Sequence, residues 1–190
     1  MPVIPNMNET QALKERDAEL KHLVKLSQHG DEEAFGKLFD ILSEPVYRFI
    51  YMRVSHKETA EDLLSLTFIK TWKNILKYQE RSDAKFTTWL FQISHNIVRD
   101  YWRSQKKEVP IEEYMEKEYT DNTEELFDTN MQIGKLKESL QLLSENYQNV
   151  LTLRFINQLS VQEVADVMGK SNGTVRVMQV RAIKALRKIV

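Results

Sequence analysis

Apolar residues recur at three- and four-residue steps along almost all of this 190-residue chain, and only five glycines and four prolines interrupt them. That step matches the helical repeat of 3.6, and no run alternates with the period of two that a strand needs. The pattern therefore predicts an all-α fold. The first dozen residues are expected to fray. A first helix is predicted over about Leu13 to Gln28, stopped at Gly30. A second starts at Asp31, with Phe35, Leu38, Phe39 and Leu42 as its buried stripe, and should end or kink before Pro45. A third runs from about Lys57 to Leu76, the stretch Lys77 to Lys85 reads as a loop, and a fourth runs from Phe86 to about Lys107. Farther on, Leu136, Leu140 and Leu143 form one stripe, and Val150, Leu151, Leu153, Phe155 and Ile156 form the next after Ser144 as N-cap.

Charge divides the chain where periodicity does not. The net charge of −1 is the sum of +2 over residues 1–107, −8 over 108–133 and +5 over 134–190. Two small helical domains joined by a flexible acidic linker follow: a frayed segment 1–15, a body 16–107, a linker 108–133 and a second body 134–190. From Gly169 to Val190 there are six basic residues and no acidic one.

Several function classes drop out. Cysteine is absent, and His22, His29, His56 and His95 have no metal-ligand spacing, so no metal and no cofactor are expected. There is no phosphate-cradling glycine loop and no nucleophile beside a base, so no catalytic residue is assigned and the chain is not read as an enzyme. No apolar run approaches the ~20 residues that span a bilayer, and the N-terminus lacks a signal-peptide pattern. A cytoplasmic protein without membrane insertion is the expectation.

The most specific local motif lies near the C-terminus. Ser160 and Glu163 form a capping box, which fixes the start of a short helix. Ala165 is small enough for a second helix to cross closely, and Gly169 can take the positive φ of a turn. Ser171 can cap a final helix whose inner side carries Val175, Met178, Ala182 and Leu186. Thr174, Arg176, Gln179, Arg181, Lys184, Arg187 and Lys188 would lie outside. Short helix, glycine turn and basic helix make a helix-turn-helix, with the second helix sized for the major groove. An ordinary helical hairpin with a solvated basic stripe is the alternative.

A second signal lies at the end of the fourth helix. Phe68, Trp72, Phe86, Trp89, Tyr101 and Trp102 fall within 35 positions, and the last two sit among Arg99, Arg103, Lys106 and Lys107. Aromatic stripes are usually core. Aromatics interleaved with cations also suit single-stranded DNA, where bases stack on rings and cations hold the backbone.

These residues resemble the bacterial sigma factors. Leu143-Ser-Glu-Asn-Tyr-Gln-Asn-Val-Leu151, Leu153-Arg-Phe155, Leu159-Ser160, Gly173-Thr-Val-Arg176 and Arg181-Ala182 are similar to sigma region 4. Gly30-Asp-Glu-Glu-Ala-Phe35 resembles the start of region 2, and Thr59-Ala-Glu-Asp-Leu-Leu64 with Thr67-Phe-Ile-Lys-Thr-Trp72 resembles region 2.2. Lys85-Phe-Thr-Thr-Trp-Leu90, Ile93, Asn96, and Asp100 with Arg103 resemble regions 2.3 and 2.4. Without regions 1.1 and 3, the layout is that of the extracytoplasmic-function (ECF) type.

The resemblance implies that core RNA polymerase and promoter DNA are partners. It implies −35 contact by Ser171, Thr174, Arg176, Gln179, Arg181 and Lys184. For the −10 element it implies Lys85, Asn96, Arg99, Tyr101, Trp102 and Arg103, with the loop Tyr78 to Lys85 and Asn96 holding a flipped base. Glu61, Asp62, Ser65, Leu66 and Ile69 would meet the β′ clamp helices, and the second body would meet the β flap. An anti-sigma factor is an expected further partner. Two departures stand out: Ser65-Leu66 where members usually carry Gln-Glu, and Val177-Met-Gln-Val180 where many have Ser-Arg, an apolar residue and His or Phe. The alternative reading has Leu66 buried or covering a neighbouring helix. The acidic linker is either a solvated connector or, inside the polymerase, a mimic of RNA charge. A stand-alone helix-turn-helix regulator remains the alternative function, and a helical interaction protein that binds no nucleic acid is a third.

Overall fold

Eight α-helices carry the residues that the computed structural model describes, which are 7–80, 85–108 and 129–190. Helix α1 spans Met7–Gln28, α2 Glu32–Val54 and α3 Lys57–Asn74, the last followed by a 3-10 turn over Ile75–Lys77. Helix α4 spans Phe86–Glu108. Helices α5 (Thr129–Gln141), α6 (Glu145–Leu151), α7 (Val161–Met168) and α8 (Asn172–Leu186) form the C-terminal body. The acidic residues Glu112 to Asp128 of the expected linker lie outside the described residues.

Local chemistry sets several boundaries. Gly30 turns the chain at φ 89°, and Asp31 caps α2 by accepting from Ala34 N at 2.9 Å. Glu32 and Glu33 then complement the positive end of the helix dipole. Two expectations need correcting. Helix α1 begins at Met7 rather than near Leu13. Helix α2 does not end at Pro45. Leu38, Leu42, Val46, Phe49 and Ile50 are buried on both sides of the proline, and each such burial is worth about 1.5–3 kcal/mol. Together they outweigh the ~3 kcal/mol that an interior proline costs. Ser144 does stand at the N-cap of α6, but its side chain makes no capping bond. Past α6 the helix widens into a π turn over Thr152–Ile156, where Asn157 N donates to Thr152 O.

The two bodies are not held apart. One continuous apolar cluster runs from Leu38, Phe49, Leu90 and Val98 to Val150, Leu153, Val164 and Val175. Met52 of α2 sits in a second cluster with Leu140, Leu143, Leu151 and Ala182. Polar contacts ring the junction. Gln92 Nε2 donates to Asp166 O at 2.9 Å, Asn157 Nδ2 to Pro45 O at 2.7 Å and Lys137 Nζ to Ser55 O at 3.2 Å. The same ammonium lies 3.9 Å from the Tyr51 ring centroid. Arg53, buried at the end of α2, donates to Gln148 and lies 3.7 Å from Glu145, while its Nε has no hydrogen-bond partner.

His95 is the pH-sensitive member of this junction. Its Nε2 lies 3.2 Å from Asn149 Nδ2, a contact in which the amide donates and the neutral ring accepts. Burial first, then Arg99 and Arg53, pull its pKa down from 6.5 to about 4, against the opposing pull of Glu145. An undocked or unfolded chain therefore takes up a proton below pH ~6.5 that the docked ring refuses until near pH 4. The contribution is complete above that upper value and is lost as the pH falls. Thermal unfolding should show a lower midpoint at pH 5 than at pH 7, and His95→Gln should flatten that difference. An identical pH profile in the variant would show that His95 is not the titrating group.

Candidate nucleic-acid interface

The helix-turn-helix forms as its local sequence dictates. Ser160 Oγ accepts from Glu163 N at 3.2 Å, and Glu163 Oε2 accepts from Ser160 N at 2.7 Å, closing the capping box on α7. Val164, Ala165, Val167 and Met168 are buried beneath it. Gly169 adopts the left-handed turn at φ 61°. Ser171 then caps α8 by accepting from Thr174 N at 3.2 Å, and Asn172 Nδ2 donates to Gln162 Oε1, tying the start of α8 to α7.

The outer face of α8 differs from the expected one. Ser171, Thr174, Arg176, Arg181 and Lys184 are exposed as predicted. Gln179 is half-buried and accepts from Arg154 Nε at 3.2 Å, while Arg154 also donates to Leu159 O. Gln179 therefore braces the motif from the inner side. The reason is angular: at 100° per residue it lies only 40° from the buried Val175. The centre of the outer face holds Gly173, Val177 and Val180, with Lys184 in line with them one turn beyond Val180, and the valines are 49% and 66% exposed.

Helix α4 places its candidates on two sides. Asn96, Arg99 and Arg103 are exposed and share one face at four- and three-residue steps. Asp100 lies 3.8 Å from the Arg99 guanidinium and 3.9 Å from that of Arg103, so both cations are loosely neutralised. Tyr101 and Trp102 are half-buried, pack against the main core, and meet edge-to-face with centroids 5.3 Å apart. Although neighbours in sequence on a helix lie about 100° apart, both rings pack against the core and so come into contact. Lys85 is engaged by Asp17 of α1 at 2.7 Å. Of the loop expected to hold a flipped base, Tyr78 packs on Phe86 and Trp89, and residues 81–84 lie outside the described residues. Docked α7 covers the same helix one turn earlier, at Gln92.

A third surface lies on α3. Glu61, Asp62 and Ser65 are exposed, and so are Leu66 at 38% and Ile69 at 50%. Leu66 is thus not buried. Ser65 and Ile69 border a groove of about 420 Å³ floored by Phe35, Phe39, Phe68 and Trp72, with Glu32 at its rim. The sequence placed Phe39 inside; instead it is exposed at the groove, edge-on to Phe68 with centroids 4.7 Å apart. Phe155 and Leu136, also assigned to buried stripes, are exposed as well. Among the described residues no group of His, Asp and Glu is arranged to hold a metal ion, and no helix is long and apolar enough to cross a membrane.

Comparison with known proteins adds to this geometry. Residues 38–108 match the model of Sigma-70 region 2, and residues 139–188 match that of Sigma-70, region 4. The chain is 37% identical over 90% of its length to the ECF RNA polymerase sigma factor BldN of Streptomyces coelicolor, and spans 66% of that protein. This chain is an ECF sigma factor of the sigma-70 family. It is also 29% identical over 89% of its length to the ECF RNA polymerase sigma factor SigW of Bacillus subtilis, spanning 95% of it. In fold it resembles the sigma factor RpoE from Bartonella quintana, solved in complex with the anti-sigma factor NepR. That likeness has a TM-score of 0.71 at 21% identity, over 82% of this chain and 95% of the other.

In this sigma factor, α3 and α4 fall within region 2, and the helix-turn-helix falls within region 4. The capping box fixes the start of α7, the helix that packs against both α8 and α4. Ser160→Ala should destabilise the protein by on the order of 1 kcal/mol, lowering the unfolding midpoint by about 2–4 °C. A midpoint unchanged in the variant would mean that the cap is not coupled to the stability of the whole.

Proposed function

We propose that this sigma factor binds core RNA polymerase and directs promoter-specific initiation, reading −35 duplex with α8 and −10 single strand with the outer end of α4, with no catalysis of its own. It acts in the cytoplasm. Its working units are residues 16–107 and 134–190, joined by the acidic linker 108–133, with residues 1–15 preceding them. The observation that carries this reading is the pairing of two cationic faces of different character on one chain. On α8, cations surround a helix free to enter a major groove. On α4, Asn96, Arg99 and Arg103 lie beside half-exposed aromatic rings, the combination that receives unstacked bases.

Distance constrains how the two faces are used. The elements named −35 and −10 lie about 25 base pairs apart, and ~3.4 Å per pair makes this roughly 85 Å of duplex. A chain of this length packed as one body has a radius of gyration of about 16 Å and measures about 40 Å across. It cannot engage both elements while docked, so α7 must leave α4 when polymerase and promoter are bound. The junction suits that step. Within it Arg53 Nε, Asn149 Oδ1 and Asn157 Oδ1 are buried without hydrogen-bond partners, each a cost that undocking relieves.

The exposed α3 face that carries Glu61, Asp62, Ser65, Leu66 and Ile69, of which Ser65 and Ile69 border the groove, is the site for the β′ clamp helices, and the C-terminal body meets the β flap. A partner of the anti-sigma class would act by covering these surfaces and holding the bodies together. Run-off transcription with reconstituted core polymerase tests the reading. Transcripts should appear only when both components are present, and Ile69→Glu should weaken core binding by about tenfold or more. Failure of the wild-type chain to bind core would leave a stand-alone helix-turn-helix regulator as the better description.

A further inference from the structure

Val177 and Val180 pose a problem that promoter reading in general does not solve. Both are apolar, both are largely exposed, and they lie three residues apart, hence side by side on α8. The inner face of the helix is already filled by Val175 and Ala182, so neither valine is needed for the core. On the wheel they straddle Gly173, with Arg176 on one flank and Arg181 on the other. Gly173 has open space where a Cβ would stand, its nearest neighbour being Ser171 Oγ at 3.9 Å. From Gly173 to Val180 the helix therefore presents a low, apolar centre between two cationic edges, bounded one turn farther on by Lys184.

Resting on the assignment of α8 as the −35 reader, we infer that Val177 and Val180 form an apolar subsite for thymine C5-methyl groups in the major groove. The recognised upstream element therefore contains thymine facing these residues. The charge pattern selects this occupant over a protein surface. No acidic residue occurs from Gly169 onward, and cations on both flanks of the valines are spaced to meet phosphates on either side of a groove. The thymine methyl is the apolar group that B-DNA exposes in its major groove, and it is absent from the other three bases. Branching at Cβ fixes the valine methyls in one rotamer on a helix, so the subsite is formed before DNA arrives. Hydrogen bonding from this centre is not available, since neither valine has a polar side-chain atom.

The test uses holoenzyme assembled from the full chain and core polymerase. A duplex library randomised over the upstream element is first partitioned by binding, and the enriched element is remade with deoxyuridine for each thymine in turn. Uracil retains every hydrogen-bonding group of thymine and lacks only the methyl. At one or two positions, affinity should fall about fourfold per methyl removed. Val177→Ala and Val180→Ala should erase this thymine preference, whereas Arg176→Ala should weaken binding to thymine and uracil duplexes alike. Equal affinity of the wild-type holoenzyme for both duplexes would overturn the subsite while leaving promoter reading intact. If no upstream element is enriched at all, the −35 assignment itself fails and the subsite with it.

Discussion

The junction of α7 and the π turn with α2 and α4 is the contact on which the arrangement of this sigma factor depends. Its apolar part is continuous with the cores of both bodies, from Leu38 and Leu90 to Val164 and Val175. Its polar part is made by side chains reaching backbone oxygens of the opposite body, as Gln92 does to Asp166 and Asn157 to Pro45. Backbone acceptors of this kind fix position without requiring a particular partner side chain. Arg53 is the expensive member: its guanidinium is nearly buried, remains charged near neutral pH with a pKa lowered to about 10, and faces Glu145 only at 3.7 Å. A buried charge that is incompletely paired contributes little net stability and costs much if one partner is lost. The docked state is thus held by shape and burial, and is weakened by its own polar groups.

That balance fits a chain with two jobs at a distance. Docking conceals one face of α4 at Gln92 and His95, next to Asn96 and Arg99, while leaving the outer face of α8 and the α3 groove exposed. The surfaces proposed to meet duplex DNA and polymerase are open, whereas α4 is covered at Gln92 and His95, one turn before the residues proposed to meet the single strand. Binding separates the bodies through what the docked state cannot do, which is to engage two elements ~85 Å apart at once, and that difference in affinity shifts the population toward the undocked state.

What was legible in the sequence was local. The capping box at Ser160 and Glu163, the Gly169 turn and the Asp31 cap each involve residues within four positions, where spacing alone determines geometry. Gln179 was misjudged because charge and polarity suggested an outer position, while its angle from Val175 and the partner Arg154, 25 residues away, determined the inner one. Phe39, Leu136 and Phe155 fit helical stripes but lie at the edge of the cover that neighbouring helices provide, and periodicity cannot report where that cover stops. Pro45 misled for a related reason: the rule against interior proline is local, and tertiary burial on both sides of it prevailed. The docking of the two bodies had no local signature, because the amides and cation that make it are ordinary surface residues until their distant acceptors are known.

The central claim is that the two bodies, docked in the free chain, separate when the sigma factor engages polymerase. The cysteine-free sequence allows paired labels at Ala18→Cys on α1 and Lys188→Cys beyond α8, both exposed positions. The distance between them, measured by energy transfer or by spin–spin coupling before and after core polymerase and promoter are added, tests the claim directly. An increase of tens of ångströms on binding is the result this account requires, given the ~3.4 Å per base pair between the two elements. A distance unchanged in the transcribing complex would contradict it.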